Sequence, residues 1–126
     1  MAVIGNLINE TGCHTYLVNG VEDHVHCLFG LKPSVALADV MKSVKAKSSK
    51  WVNESGKLQN RFEWQVGCGA FSYSHSHLDR VYRYIQNQEI HHQKETFREE
   101  YIRMLESFGV DYEAQYLFQD LIAHEV

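Results

Sequence analysis

Two histidines one residue apart, His24 and His26, lie in the apolar stretch GVEDHVHCLFGL. Side chains alternate across a strand, so both imidazoles share one face while Val25, Cys27 and Phe29 take the other. Imidazoles held this way on a rigid strand are placed to serve as two ligands of one metal ion. An exposed strand face that happens to carry two histidines fits the same pattern, and the pair alone does not separate these readings. A second group lies in RVYRYIQNQEIHHQ, where Tyr84 and Gln88 are four residues apart and His91 is three further on. On a helix these three form one line. Leu78, Val81, Tyr82 and Ile85 make the apolar stripe, which leaves Tyr84 on its flank, facing either a cleft or plain water with its hydroxyl.

The overall balance of the chain carries no basic footprint, since the formal net charge is -4. Any affinity for phosphate must therefore be local. Lys42, Lys45, Lys47 and Lys50 fall within nine residues that contain no acid. Lys42, Lys45 and Lys50 lie off the apolar stripe of their segment and suit either a phosphate-tracking surface or an ordinary solvated face. Arg80 and Arg83, beside Tyr84, either touch phosphates as well or pair with acids on neighbouring turns.

The elements that would position these groups are legible in the pattern. The chain has 126 residues and 44% hydrophobic content, enough for one core and one domain over 1–126. Val3, Ile4, Leu7 and Ile8 have helical spacing up to Gly12. Two strand-like runs then flank Asn19-Gly20, a dipeptide favoured in tight hairpin turns. After Pro33 and Ser34, a helix should carry Leu37, Val40, Met41, Val44 and Trp51 on one stripe and end near Gly56. Phe62, Trp64 and Val66 alternate as a third strand. Ser76 and Asp79 have capping-box spacing for a helix running from about His77 into the Glu89 to Gln93 region, and Thr96 and Glu99 repeat the signal for a last helix. That helix should carry Phe97, Tyr101, Met104, Leu105 and Phe108 on one side and stop at Gly109.

Cys13, Cys27 and Cys68 are odd in number and lack CxxC spacing, which points to small buried thiols in a reducing compartment. No apolar run approaches the roughly 18 residues of a membrane span, and no signal peptide opens the chain. A cytoplasmic protein without a membrane partner is expected.

A His-hydrophobic-His strand followed by a helix with Tyr-x-x-x-Gln resembles the HUH nucleases, in particular the single-tyrosine transposases of small insertion sequences and their REP-associated relatives. NGVEDHVHCLFGL, KSVKAKSSKWVNE, FEWQVGCGAFSYS, RVYRYIQNQEIHHQKETFREEY and DYEAQYLF all look like that family and stand in its order. The resemblance implies an α+β, ferredoxin-like antiparallel sheet with helices packed on it. By position it assigns His24, His26 and Gln88 to a divalent metal, Mg²⁺ or Mn²⁺, and Tyr84 to the nucleophile. It also places the lysine-rich helix near the DNA. The implied reaction cleaves and rejoins single-stranded DNA with hairpin ends through a 5′-phosphotyrosine, in a homodimer.

One departure stands out, because the family ordinarily begins with a strand that is absent before the first helix here. The chain therefore reads as N-terminally truncated. Its loss would leave a strand edge to be covered by a partner chain. Two other functions fit parts of the pattern: an impaired remnant that only binds DNA hairpins, and an unrelated histidine-rich metalloenzyme.

Overall fold

The computed structural model describes residues 2–21, 23–65 and 68–109. Val66 and the stretch 111–118 lie outside the described residues. The chain has an α+β fold, as expected. In order it comprises α1 (Ala2–Glu10), β1 (His14–Gly20), β2 (Val25–Gly30), α2 (Leu37–Ser55), a 3-10 turn (His75–His77), α3 (Leu78–Gln86), α4 (Gln88–Lys94) and α5 (Phe97–Ser107). Among the described residues the sheet is one antiparallel hairpin of β1 and β2.

Helix α1 ends where the sequence predicts. Thr11 caps the Ile8 carbonyl through its hydroxyl at 2.6 Å, and Gly12 takes a left-handed φ of 93° that side chains disfavour. Ile4 and Ile8 are buried and meet Cys13, Val40 and Val44 in the main core. Val25, Cys27 and Phe29 pack on that core from the hairpin. One face of β2 is therefore apolar and covered by α1 and α2, which leaves the His26 face for the helices that follow. Burying a side chain such as Ile8 or Val40 contributes roughly 1.5–3 kcal/mol. This core is what holds the hairpin rigid.

The hairpin turn lies later than Asn19-Gly20. Asn19 pairs with His26 and Gly20 with Val25 inside the ladder, and the reversal is closed by the Val21 N–H donating to the His24 carbonyl at 3.0 Å. Gly20 has no positive φ, so the residues were misread as a turn. Asn19 instead uses its side-chain amide across the fold, donating to the Ile85 carbonyl at 2.8 Å. That bond docks the end of α3 on the hairpin.

Helix α2 stops at Gly56 in the left-handed region, as predicted, but its buried line is Val40, Val44 and Ser48. Trp51, expected on the stripe, is 49% exposed. Ser48 is buried because its hydroxyl accepts the Trp64 indole N–H at 2.8 Å. The expected strand over Phe62, Trp64 and Val66 is likewise absent from 61–65. Its alternation has another cause: Asn53 brackets Phe62 with two hydrogen bonds and Lys45 donates to the Gln65 carbonyl, so the segment is pinned to α2 by side chains.

The single helix expected after His77 is broken at Asn87, whose ψ of 20° ends α3, and α4 starts at the next residue. Ser76 forms no capping box; its hydroxyl meets Ser74 and His77. Thr96 and Glu99 do form one, each side chain bonding the other's backbone N–H at 3.1 Å. A cap of this kind is worth about 1 kcal/mol, and it fixes where α5 begins. Of the cysteines, Cys13 is buried, Cys27 is half-buried with its thiol pushed up to about 11 by burial, and Cys68 is exposed, against expectation.

Candidate active site

His24 and His26 face the helices α3 to α5, with ring centroids 5.0 Å apart and edge to face. His24 directly precedes β2 and stacks on Phe97 at 4.5 Å. Its Nδ1 donates to Asp23 at 2.7 Å, which turns Nε2 toward the site. There both histidines meet Glu100, a residue that reasoning from the sequence overlooked. Glu100 Oε1 accepts from His26 Nε2 at 2.9 Å and lies 3.3 Å from His24 Nε2.

The other oxygen of the same carboxylate serves the helix side. Glu100 Oε2 accepts the Tyr84 hydroxyl and, at 3.1 Å, the Gln88 amide, whose Nε2 also lies 3.2 Å from His24 Nε2. The break at Asn87 separates Tyr84 and Gln88 into two helices, yet both reach this carboxylate. His91 joins them by stacking on Tyr84 at 4.5 Å. On the outer side Arg103 donates from Nη2 to the Tyr84 oxygen at 2.7 Å and is held by Glu95 through Nε at 3.0 Å. The phenol oxygen thus sits between a buried carboxylate and a guanidinium within one chain.

The charge states follow from these contacts. Burial alone would raise the Glu100 pKa, but hydrogen bonds from His24, His26 and Tyr84 outweigh it and hold the carboxyl well below the usual range. Burial works against a charged His24, but Glu100 and Asp23 overcome it, and the ring's pKa is raised. The Tyr84 phenol is pushed up by burial and by the neighbouring Glu100, with Arg103 opposing.

Stability from Glu100 is present above its ordinary value of 4.5 and is lost as pH falls toward its lowered pKa. The contribution of His24 is complete below 6.5 and is lost as pH rises through the raised value. Metal-free protein should therefore melt at its highest temperature between pH 4.5 and 6.5. Thermal melts in chelator across this range check the point, and a melting temperature still climbing past pH 6.5 would contradict it.

The donor set suits a divalent cation. Ligand atoms of His24, His26 and Glu100 lie within 4.8 Å of one another. Gln88 is 1% exposed, and its Oε1 has no hydrogen-bond partner, an oxygen donor left over beside the cluster. A buried polar atom in that state costs free energy unless something takes it up. Two imidazole nitrogens, a carboxylate and an amide oxygen together match a hard-to-borderline ion.

The predicted basic residues are not gathered here. Helix α2 covers the opposite face of the hairpin, so Lys42, Lys45 and Lys50 lie away from Tyr84. Lys45 is occupied by the Gln65 carbonyl, and Lys50 stands 4.0 Å from Glu54 on the surface. Arg80 and Arg83 are exposed on α3 with Tyr84, Arg83 donating to the Asp79 carbonyl at 3.4 Å.

The family model of the transposases described as IS200 like matches residues 1–88. The chain belongs to the IS200-like transposases. The match covers the hairpin, Tyr84 and Gln88, whereas Glu100 and Arg103 of this transposase lie beyond it. No curated protein and no solved structure shows a significant match to the chain. Among the described residues, no helix is long and apolar enough to cross a membrane.

Sequence signals for the missed residues exist in hindsight. Phe97, Glu100, Tyr101 and Met104 share an i, i+3, i+4, i+7 arc, so Glu100 is an acid set inside an apolar stripe. An acid there is buried only with partners. Arg103 carries no comparable mark.

Proposed function

We propose that this transposase cleaves and rejoins single-stranded DNA with Tyr84 as nucleophile, through the single-tyrosine HUH chemistry. The observation that carries the reading is the Tyr84 hydroxyl bonded to the carboxylate that also meets His24 and His26. His24, His26, Gln88 and Glu100 would hold a divalent metal, and the nitrogens among them favour Mn²⁺ over Mg²⁺. When bound, the ion withdraws charge from the scissile phosphate.

The residues of the chain account for the rest. Tyr84 Oη attacks phosphorus and the bond from phosphorus to the 3′ oxygen breaks, leaving a 5′-phosphotyrosine and a 3′-hydroxyl. The phenol is protonated at neutral pH; Glu100 Oε2, the acceptor it already bonds, orients it, and its proton is released to water as Oη bonds phosphorus. The 3′ oxygen takes up a proton from water as it leaves. Arg103 stays by the phenolic oxygen and stabilises the negative charge that gathers between oxygen and phosphorus. Because the phosphodiester energy is kept in the tyrosine ester, rejoining by the 3′-hydroxyl needs no nucleotide.

Outside this centre, exposed Lys42, Lys50, Arg80 and Arg83 offer sequence-independent phosphate contacts for a hairpin end, while Lys45 serves the loop at Gln65. A homodimer is proposed as well, since each strand of the hairpin has one edge without a strand neighbour among the described residues. Sedimentation of a stable monomer at micromolar concentration would overturn the dimer.

The reaction is tested by incubating the protein with Mn²⁺ and labelled single-stranded DNA from the ends of its own locus. A protein-linked product on a denaturing gel, lost on addition of chelator, is the expected result. Binding without any adduct would make the chain a remnant that only holds DNA.

A further inference from the structure

Beyond Tyr84 the surface opens into a groove of about 420 Å³ between the segment before α3 and the end of α5. Arg103 belongs to both places, since its guanidinium bonds the Tyr84 oxygen and also lines this groove. His77 and Met104 line it as well. Tyr73 and Phe108 supply aromatic rings, and Ser72, Ser74 and Ser107 supply hydroxyls. Among the described residues no carboxylate lines the groove, in a chain whose net charge is -4.

The aromatic rings are unusual in being left at the water. Tyr73 is 42% exposed and Phe108 44% exposed, although the two touch each other with centroids 5.4 Å apart and planes at 84°. Phe108 also packs on Phe71 at 4.9 Å, and the partial exposure of both rings leaves aromatic surface at the water. Adjacent exposed aromatics beside an arginine form the kind of platform on which single-stranded nucleic acid stacks its bases, with the cation taking the backbone. The Glu95 contacts fix the plane of the Arg103 guanidinium at the mouth of the groove. Its Tyr84 bond places that mouth next to the atom that attacks DNA.

We propose that this groove is a nucleotide subsite, in which the Tyr73 ring stacks one base of the single strand next to the phosphate attacked by Tyr84, with Phe108 meeting that base edge-on and Arg103 on the connecting backbone. The proposal rests on the transposase reading of Tyr84 and adds to it the path of the strand. A stacking platform tolerates any base. The groove therefore secures single-strandedness near the cut, and sequence preference comes from elsewhere.

The test uses the full chain and two fluorescent probes of equal length and charge, a short oligothymidylate and an oligomer of abasic nucleotides, read by anisotropy. Wild-type protein should bind the base-bearing probe about tenfold tighter, the effect of roughly one stacked base. Tyr73→Ala should erase that preference. Ser107→Leu, which fills the groove with a non-aromatic side chain from an exposed position on the last turn of α5, should erase it too without disturbing the core. Far-UV circular dichroism confirms that both variants are folded. A preference unchanged in both variants, or absent from the wild type, overturns the subsite. Adduct formation by the wild type is scored separately: an adduct without base preference removes the groove and leaves the transposase reading standing. Base preference without an adduct does the reverse.

Discussion

Tyr84→Phe should form no covalent adduct with single-stranded DNA, and its strand cleavage should fall on the order of 10⁴-fold or more, the scale seen when a nucleophile is removed outright. Binding of the same DNA should stay within a factor of about three, because the lost atom is one oxygen and the ring keeps its stack on His91 at 4.5 Å. The change also leaves the site intact. Glu100 Oε2 loses the phenol but keeps the Gln88 amide at 3.1 Å, so the carboxylate is not orphaned. A stability cost of about 1 kcal/mol is expected for one such hydrogen bond. The measurement is a denaturing gel of labelled DNA run beside a binding titration and a thermal melt of the same preparation. An adduct that persists in the variant would show that another residue attacks the phosphate, and the assignment of Tyr84 would fall.

What could be read ahead of the structure divides along a physical line. Local signals held where one element alone decides the outcome: α1 ends at Gly12, α2 at Gly56, and the Thr96-Glu99 box starts α5, since caps and left-handed glycines act within a turn of the helix. The alternation in β2 also held, with Val25, Cys27 and Phe29 on the core side. Signals failed where a polar side chain was taken by a distant partner. Asn19 reads as a turn residue, but its amide is used by the Ile85 carbonyl 66 positions away. The Phe62 and Trp64 alternation reads as a strand, but Asn53 and Ser48 of α2 hold those residues.

The same divide applies to the site. Proximity of His24 to His26 follows from a strand's period, and proximity of Tyr84 to Gln88 from a helix's, although the break at Asn87 alters how they meet. Glu100 required knowing which of two adjacent acids turns inward. Glu99 is spent on capping α5, and only the packing of that helix against the hairpin delivers the next residue to His26.

Glu100 is also where a single substitution should do the most harm to the fold. The residue is 2% exposed and accepts from His26, Tyr84 and Gln88 while standing against His24. Glu100→Ala removes every one of those acceptor contacts, leaves polar groups facing a void, and should destabilise the protein by about 3–5 kcal/mol, the cost of stripping one partner from a buried ionic cluster. Against a total stability of about 5–15 kcal/mol for a domain, that loss is a large fraction. Glu100→Gln separates charge from shape. It fills the same volume and still accepts through one oxygen, so its melting temperature in chelator should fall less than that of the alanine variant.

Its effect on metal binding has a diagnostic sign. A carboxylate that contributes a ligand oxygen makes the site more attractive to a cation, so Mn²⁺ affinity measured by calorimetry should drop by at least about tenfold in Glu100→Gln. Were the carboxylate only filling the place where the ion belongs, neutralising it would free the two imidazoles and affinity would rise. The second result would leave His24, His26 and Gln88 as the ligands and reduce Glu100 to a clasp on Tyr84. The first makes one residue the joint between the metal ligands and the nucleophile, which explains why a charged side chain is kept at the centre of an otherwise apolar helix face.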